Sequence, residues 1–323
     1  MTARRAPASP VLSPGLERAS SSTMPSAAAG IARATARLRS LSLFRTAIYG
    51  IDILLLCSLL GVLCGSAWEY STQRYLRGFS DAIVPLSDSP ERKVQAILHW
   101  MSHAPARVQQ APSSMGDDRD PTDTLNYESL LQVCGTATNA FINLADSSGL
   151  TARRLLLLDT DRNTVHVVAE VLIDSRWIVV DPTFHTVFRG PDGAALTAQQ
   201  LAVPAIFHAA TQQIHGYDAS YVFNRTTHIH FARLGSAGGV LQLILKAANW
   251  EGSPTLSLIL ERESLETALL FAFFAVFLFV LRAAVRWYGK ARFGVRPAHI
   301  RDRLRQIASL LLEPPEKAAH KLQ

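Results

Sequence analysis

Cysteine is scarce in this chain, with three in 323 residues. Cys57 and Cys64 lie seven apart within one apolar run, so the polar middle of the sequence owns only Cys134. A disulfide-held scaffold is excluded there, and a lone thiol in such a region is either a small buried hydrophobe or is kept for chemistry. Internal repeats, a glycine-rich phosphate loop and nucleic-acid-binding motifs are also missing. The net charge of +6 alone would suit nucleic acid, yet acids are scarce only at the ends. Residues 1–45 hold seven Arg against one acid, and residues 282–323 hold ten Lys and Arg against three acids. Between them stand fifteen basic and twenty-two acidic residues. Basic ends around an acidic middle argue against a nucleic-acid partner and for a membrane.

Two apolar stretches supply what that charge pattern needs. Ala47–Ala67 is charged only at Asp52, and Thr267–Val285 is almost wholly Ala, Leu, Phe and Val, with Arg282 close to its end. Each meets the roughly 20-residue length that crosses a hydrocarbon core. Trp68, Tyr70 and Tyr75 follow the first run, and Trp287 and Tyr288 follow the second, as interfacial aromatics do. A cleaved signal peptide fits the first run less well, because the run is long for an h-region and its basic leader is longer still. The expected organisation is a disordered basic tail (1–45), a membrane helix (46–68), an outer domain (69–266), a second membrane helix (267–286) and a basic tail (287–323). Within that last tail, Ile300, Leu304, Ile307 and Leu311 form one stripe of an amphipathic helix over 297–312, suited to anionic headgroups. The lipid bilayer is thus the first expected partner. Asp52 is costly inside a span unless it is shallow and hydrated or faces a partner helix.

The informative chemistry lies in the middle. Leu130 to Phe141 carries Cys134 just before a stretch, Gly135–Ala145, whose Ala137, Phe141, Leu144 and Ala145 make one helical apolar stripe. A thiol needs activation because only its thiolate attacks, and a helix N-terminus supplies partial positive charge. Downstream, Leu155–Leu158, Val165–Ile173 and Arg176–Val180 read as three strands, the last two joined by a two-residue turn at Asp174-Ser175. If Ile173 faces Arg176, then Val168 faces Asp181 and His166 lies one diagonal step away on the same face. Diagonal neighbours on one face are within side-chain reach. A slip of one residue would place His166 and Asp181 on opposite faces. Thiol, imidazole and carboxylate therefore stand in the order that nucleophile, general base and orienting group require.

These residues resemble the transglutaminase-like superfamily, a papain-type fold group, in a membrane-anchored bacterial type. The resemblance rests on Cys134-Gly135, on Gly149-Leu-Thr-Ala-Arg153, on His166 with Glu170-Val171, and on Trp177 with Asp181-Pro-Thr183. Pro90 to Trp100 resembles the family's leading helix, so the likeness covers roughly residues 88–195. One departure is Val168, where an aromatic often follows the histidine. The resemblance implies an α+β fold, a helix bearing the cysteine packed on an antiparallel sheet, flanked here by two membrane helices. It also implies Cys134 as nucleophile, His166 as general base and acid, and Asp181 as the orienting carboxylate, with no cofactor and no metal. The backbone N–H of Cys134 and the Gln132 side chain are the candidate oxyanion donors. The implied activity is acyl chemistry on amides, by hydrolysis or transfer. The alternative is a degenerate accessory domain serving export or assembly of an envelope polymer such as exopolysaccharide. A membrane-proximal protein or envelope polymer is the expected substrate or partner.

The remaining segments say less. Glu170 shares the His166 face but reads as a solvated or structural carboxylate. The loop Ser113–Thr124 is rich in Asp without the glycine and glutamate of a calcium loop. His228 and His230 would share a strand face, with no third metal ligand nearby. Leu196–Ala209 reads as a helix, and Leu241–Ala247 and Leu256–Leu260 as late strands. Positive flanks stay inside, so both termini are expected in the cytoplasm and the 69–266 domain outside, periplasmic in a bacterial inner membrane. A reporter active only outside the cytoplasm should be silent when fused after Gln323 and active when inserted near Gly193; the reverse pattern would remove the two-span topology.

Overall fold

The computed structural model describes residues 27–86, 88–103, 108–110, 120–229, 242–248 and 250–293. Residues 1–26, the amphipathic helix expected at 297–312, the loop residues 113–119 and His230 lie outside the described residues. The fold is α+β. Among the described residues, five helices come first: α1 (Ala27–Ile83), α2 (Pro90–His103), α3 (Pro121–Thr124), α4 (Glu128–Leu131) and α5 (Cys134–Ser147). Four strands follow: β1 (Ala152–Leu158), β2 (Thr164–Ile173), β3 (Arg176–Asp181) and β4 (Thr186–Val187). Then come α6 (Ala198–Leu201), α7 (Pro204–Thr211), β5 (Thr226–Thr227), α8 (242–247), α9 (Pro254–Glu261) and α10 (Glu263–Phe293).

The strands make one antiparallel sheet in the order β4-β3-β2-β1-β5. Its central strands are apolar on both faces because each face has a core of its own. Ala169, Val171 and Ile173 pack with α2 and α5, whereas Val168 joins Leu155, Leu157 and Val179 against Phe188, Leu201, Phe207 and Phe223. The expected stripe of α5 is fully buried at Ala137, Phe141, Leu144 and Ala145. Burying a side chain such as Phe141 contributes about 1.5–3 kcal/mol, so this stripe fixes which way the helix faces.

Register is set by the β2–β3 turn. Asp174 and Ser175 have φ of 47° and 64°, the doubly left-handed geometry of a tight hairpin. Ile173 pairs with Arg176 and the ladder runs on to Ala169 opposite Val180, as the strand parity requires.

Three expectations need correction. Leu196–Ala209 is two helices rather than one, because Val203 is extended ahead of Pro204, which starts α7. Leu256–Leu260 is helical, not a strand; its alternating leucines mimic strand patterning, but Pro254 presets the first helical turn. The Oγ of buried Ser257 then accepts the backbone N–H of Arg154 (2.8 Å), which docks α9 on β1. The described part of Leu241–Ala247 is helical too, as α8. In addition, the strand expected to carry His228 ends at Thr227, and Asp120 in the polar loop caps α3 by accepting the Thr122 N–H (2.8 Å).

Among the described residues, two helices are long and apolar enough to cross a membrane, within Leu43–Ile83 and Glu263–Arg292. Only 6% and 17% of their most apolar windows are buried, so these are not core helices. Leu56, Leu60, Leu63, Phe273, Phe277 and Phe279 are exposed. The chain divides into two compact units, one of residues 54–280 and the other of the flanking segments. In the flanking unit Arg282 pairs with Asp52, which settles what neutralises that acid. In the larger unit α1 continues past the expected end of the span, and Thr72, Leu76 and Ser80 are buried there.

The left-handed Ser175 gives a direct test of the turn. Ser175→Val should cost about 1–3 kcal/mol, because a β-branched residue resists positive φ, while Ser175→Gly should be close to neutral. Thermal unfolding of the full chain in detergent measures both; equal midpoints would mean that the turn does not set the register.

Candidate active site

Cys134 is the first residue of α5, preceded by the extended N-cap Val133 (φ −97°, ψ 127°). The unpaired N–H groups of a first helical turn surround it with partial positive charge. Two hydroxyls fix that turn. Thr136 Oγ1 donates to the carbonyls of Leu130 and Val133, tying α5 to the end of α4. Thr138 Oγ1 donates to the Val167 carbonyl (3.1 Å), tying it to β2 beside His166.

His166 and Asp181 come from the paired strands β2 and β3 and are 2% and 0% exposed. His166 Nε2 lies 2.7 Å from Asp181 Oδ2. The other carboxylate oxygen accepts the backbone N–H groups of Thr183 (3.0 Å) and Phe184 (3.2 Å), so the Asp181-Pro-Thr turn aims the carboxylate at the ring. With Nε2 engaged by Asp181, Nδ1 is the nitrogen left for the Cys134 thiol, which hydrogen-bonds to His166. Tyr221 stacks flat on the imidazole at 4.2 Å, and Phe184 and Tyr217 meet it edge-on.

This geometry sets the protonation states. Burial raises the Cys134 thiol, but the His166 hydrogen bond and charge, with backbone groups of Val167 and Gly135, outweigh it and hold the thiol below its ordinary value. Burial lowers His166, but its hydrogen bonds to Asp181 and Cys134 push it up to about 9. Each shift favours the charged form, thiolate for Cys134 and imidazolium for His166. Burial, followed by the Asp181 charge, holds the Tyr217 hydroxyl protonated far above its usual range. Cys134 itself is partly exposed, so a substrate can reach it.

The other candidates are placed as follows. Gln132 is an exposed residue in the link from α4 to α5, two positions before the thiol. Glu170 is not solvated: it is buried, accepts from Arg153 Nε (2.7 Å) and meets His228 Nε2 (3.0 Å). Arg153 in turn lies over the Trp177 ring at 3.9 Å. Sequence reasoning missed a polar face on α5, buried at Asn139 and Asn143 and open to solvent at Asp146. Asn139, Asn143 and Asp146 stand at i, i+4 and i+7 and meet Glu261 and Arg262 at the α9–α10 junction. The visible signal was that spacing of polar residues opposite an apolar stripe. Tyr221 was missed as well, and nothing local marks it.

Residues 77–182 fit the sequence model of the transglutaminase-like superfamily. No curated protein and no solved structure matches the chain.

The His166–Asp181 contact makes a signed prediction. Asp181→Asn removes the charge that raises His166, so imidazolium is lost at lower pH and the thiolate loses its partner. The midpoint of iodoacetamide alkylation of Cys134 should move up towards that of free cysteine, about 8.5. A midpoint that stays put would show that Asp181 does not tune the pair.

Proposed function

We propose that this chain, whose residues 77–182 form a transglutaminase-like domain, is a thiol enzyme acting on amide bonds. The observation that carries the reading is the buried 2.7 Å contact of His166 with Asp181, on an imidazole that also meets the Cys134 thiol. The Cys134 thiolate attacks the amide carbonyl carbon, and the carbonyl oxygen becomes an oxyanion. The backbone N–H of Cys134, with the Gln132 side chain, is the donor set for that charge. Imidazolium His166 gives its proton to the departing amine as the C–N bond breaks, leaving an acyl thioester on Cys134. Water or a second amine then loses a proton to His166 and attacks the thioester, releasing the product and the thiol. Asp181 keeps the ring in one orientation and offsets its charge throughout.

The helices extend the proposal to place. Positive flanks put both termini in the cytoplasm and the domain outside. A domain joined to the bilayer through both α1 and α10 meets membrane-held groups at raised effective concentration. Its substrate is then a membrane-proximal protein or a nascent envelope polymer.

The chemistry is tested by activity and by mass. Cys134→Ala should abolish acyl transfer and the acyl-enzyme adduct while leaving the fold intact. Activity should rise with pH through the lowered Cys134 pKa and fall as His166 loses its proton near 9. Full rescue of a deletion strain by Cys134→Ala would show an accessory domain instead of an enzyme. Residues 69–264 secreted alone should rescue poorly at equal abundance; complete rescue would remove the membrane-proximal substrate.

A further inference from the structure

Ion pairs that would be expensive to bury alone are concentrated where α9 meets α10. Glu261 is 1% and Arg262 is 2% exposed. Arg262 Nη1 donates to Glu69 of α1 (2.9 Å), Nη2 to Asp146 of α5 (3.1 Å) and Nε to Asn143 of α5 (2.9 Å). Ser264 Oγ donates to the second oxygen of Glu69 (2.7 Å). On the other side Arg154 of β1 pairs with Glu261: Nη2 donates to Oε2 (2.7 Å), and Nε makes an ion-pair contact with Oε1 (2.7 Å). Asn139 of α5 also donates to Glu261 Oε2 (3.2 Å).

The same Arg154 Nη2 donates to the carbonyl of Gly135 (3.0 Å). That carbonyl belongs to the residue after the thiol. One guanidinium therefore joins the first turn of α5 to a carboxylate at the last turn of α9, one residue before the cation that holds α1. Buried pairs of this kind are weak sources of net stability, since desolvation offsets much of their attraction. What they supply is a fixed position.

We propose that Arg154 and Glu261 are positioning residues for Cys134, holding the turn that bears the thiol against the junction of α9 and α10. This rests on the reading of Cys134 as nucleophile. The charged and titratable groups facing the thiol are His166 of β2, Asp181 of β3 behind it and Tyr221 of the segment after α7. Arg154 and Glu261 act on it through the Gly135 backbone. Without that anchor the first turn of α5 keeps its Thr136 and Thr138 bonds but loses its hold on β1, and the thiol no longer keeps one distance from the imidazole. Displacement of a reacting group by even an ångström is costly.

The test uses the full chain in detergent with Cys57→Ala and Cys64→Ala, which leaves Cys134 as the sole thiol. The pH dependence of iodoacetamide alkylation is followed by mass. The double variant Arg154→Met, Glu261→Gln removes both charges together, so neither is left buried alone. It should unfold within a few degrees of its parent yet alkylate about tenfold more slowly at pH 6, equivalent to a one-unit rise of the thiol pKa. Arg154→Lys keeps the cation and should fall between the two. A folded double variant, or a folded Arg154→Lys, whose profile equals the parent's would overturn the positioning role while leaving the nucleophile in place. A parent that itself alkylates like free cysteine would overturn both.

Discussion

The hydrogen bond between His166 and Asp181 exists because two strands are in one register, and the site inherits its geometry from that pairing. Asp181 ends β3, His166 lies on β2 just ahead of Ala169, where the ladder with β3 starts, and the turn at Asp174-Ser175 counts the residues between them. A carboxylate with no exposed surface would be costly without donors. Here the ring and two backbone N–H groups satisfy it. The raised His166 follows from this arrangement, and the lowered Cys134 follows from His166. The direction of influence runs from sheet to carboxylate to imidazole to thiol.

Much of this was legible beforehand, for reasons that are local. A hairpin two residues wide converts sequence separation into spatial parity, so His166 and Asp181 could be paired by counting. The stripe of α5 was visible from Ala137, Phe141, Leu144 and Ala145, because helical period and burial coincide there. What failed was local signal overridden by a neighbour. Leu256, Leu258 and Leu260 alternate like a strand, yet Pro254 and the docking of Ser257 on Arg154 make a helix. Tyr221 lies flat on the catalytic candidate His166 from 55 positions downstream, and no periodicity announces a contact of that kind.

The polar face of α5 lies between these cases. Asn139, Asn143 and Asp146 carried the right spacing, but their partners, Glu261 and Arg262, sit more than a hundred residues away. A helix with an apolar stripe and a separate, hydrogen-bonded polar stripe contacts two different surroundings. For α5 these are the sheet core on one side and the junction that leads into α10 on the other. The pair of Arg282 with Asp52 shows the same logic in the flanking unit, where an acid in an apolar helix finds its cation on another helix.

The separations of the site residues also fix an order of assembly. His166 and Asp181 are 15 positions apart within one hairpin, and such units close in about 1–10 μs. Cys134 joins them only when α5 docks on the sheet and Thr138 reaches Val167. Until then its thiol has no imidazole beside it and stays mostly protonated at neutral pH. A chain emerging from synthesis thus carries a cysteine that is dull towards oxidants, and the thiol turns reactive at the moment tertiary structure shelters it.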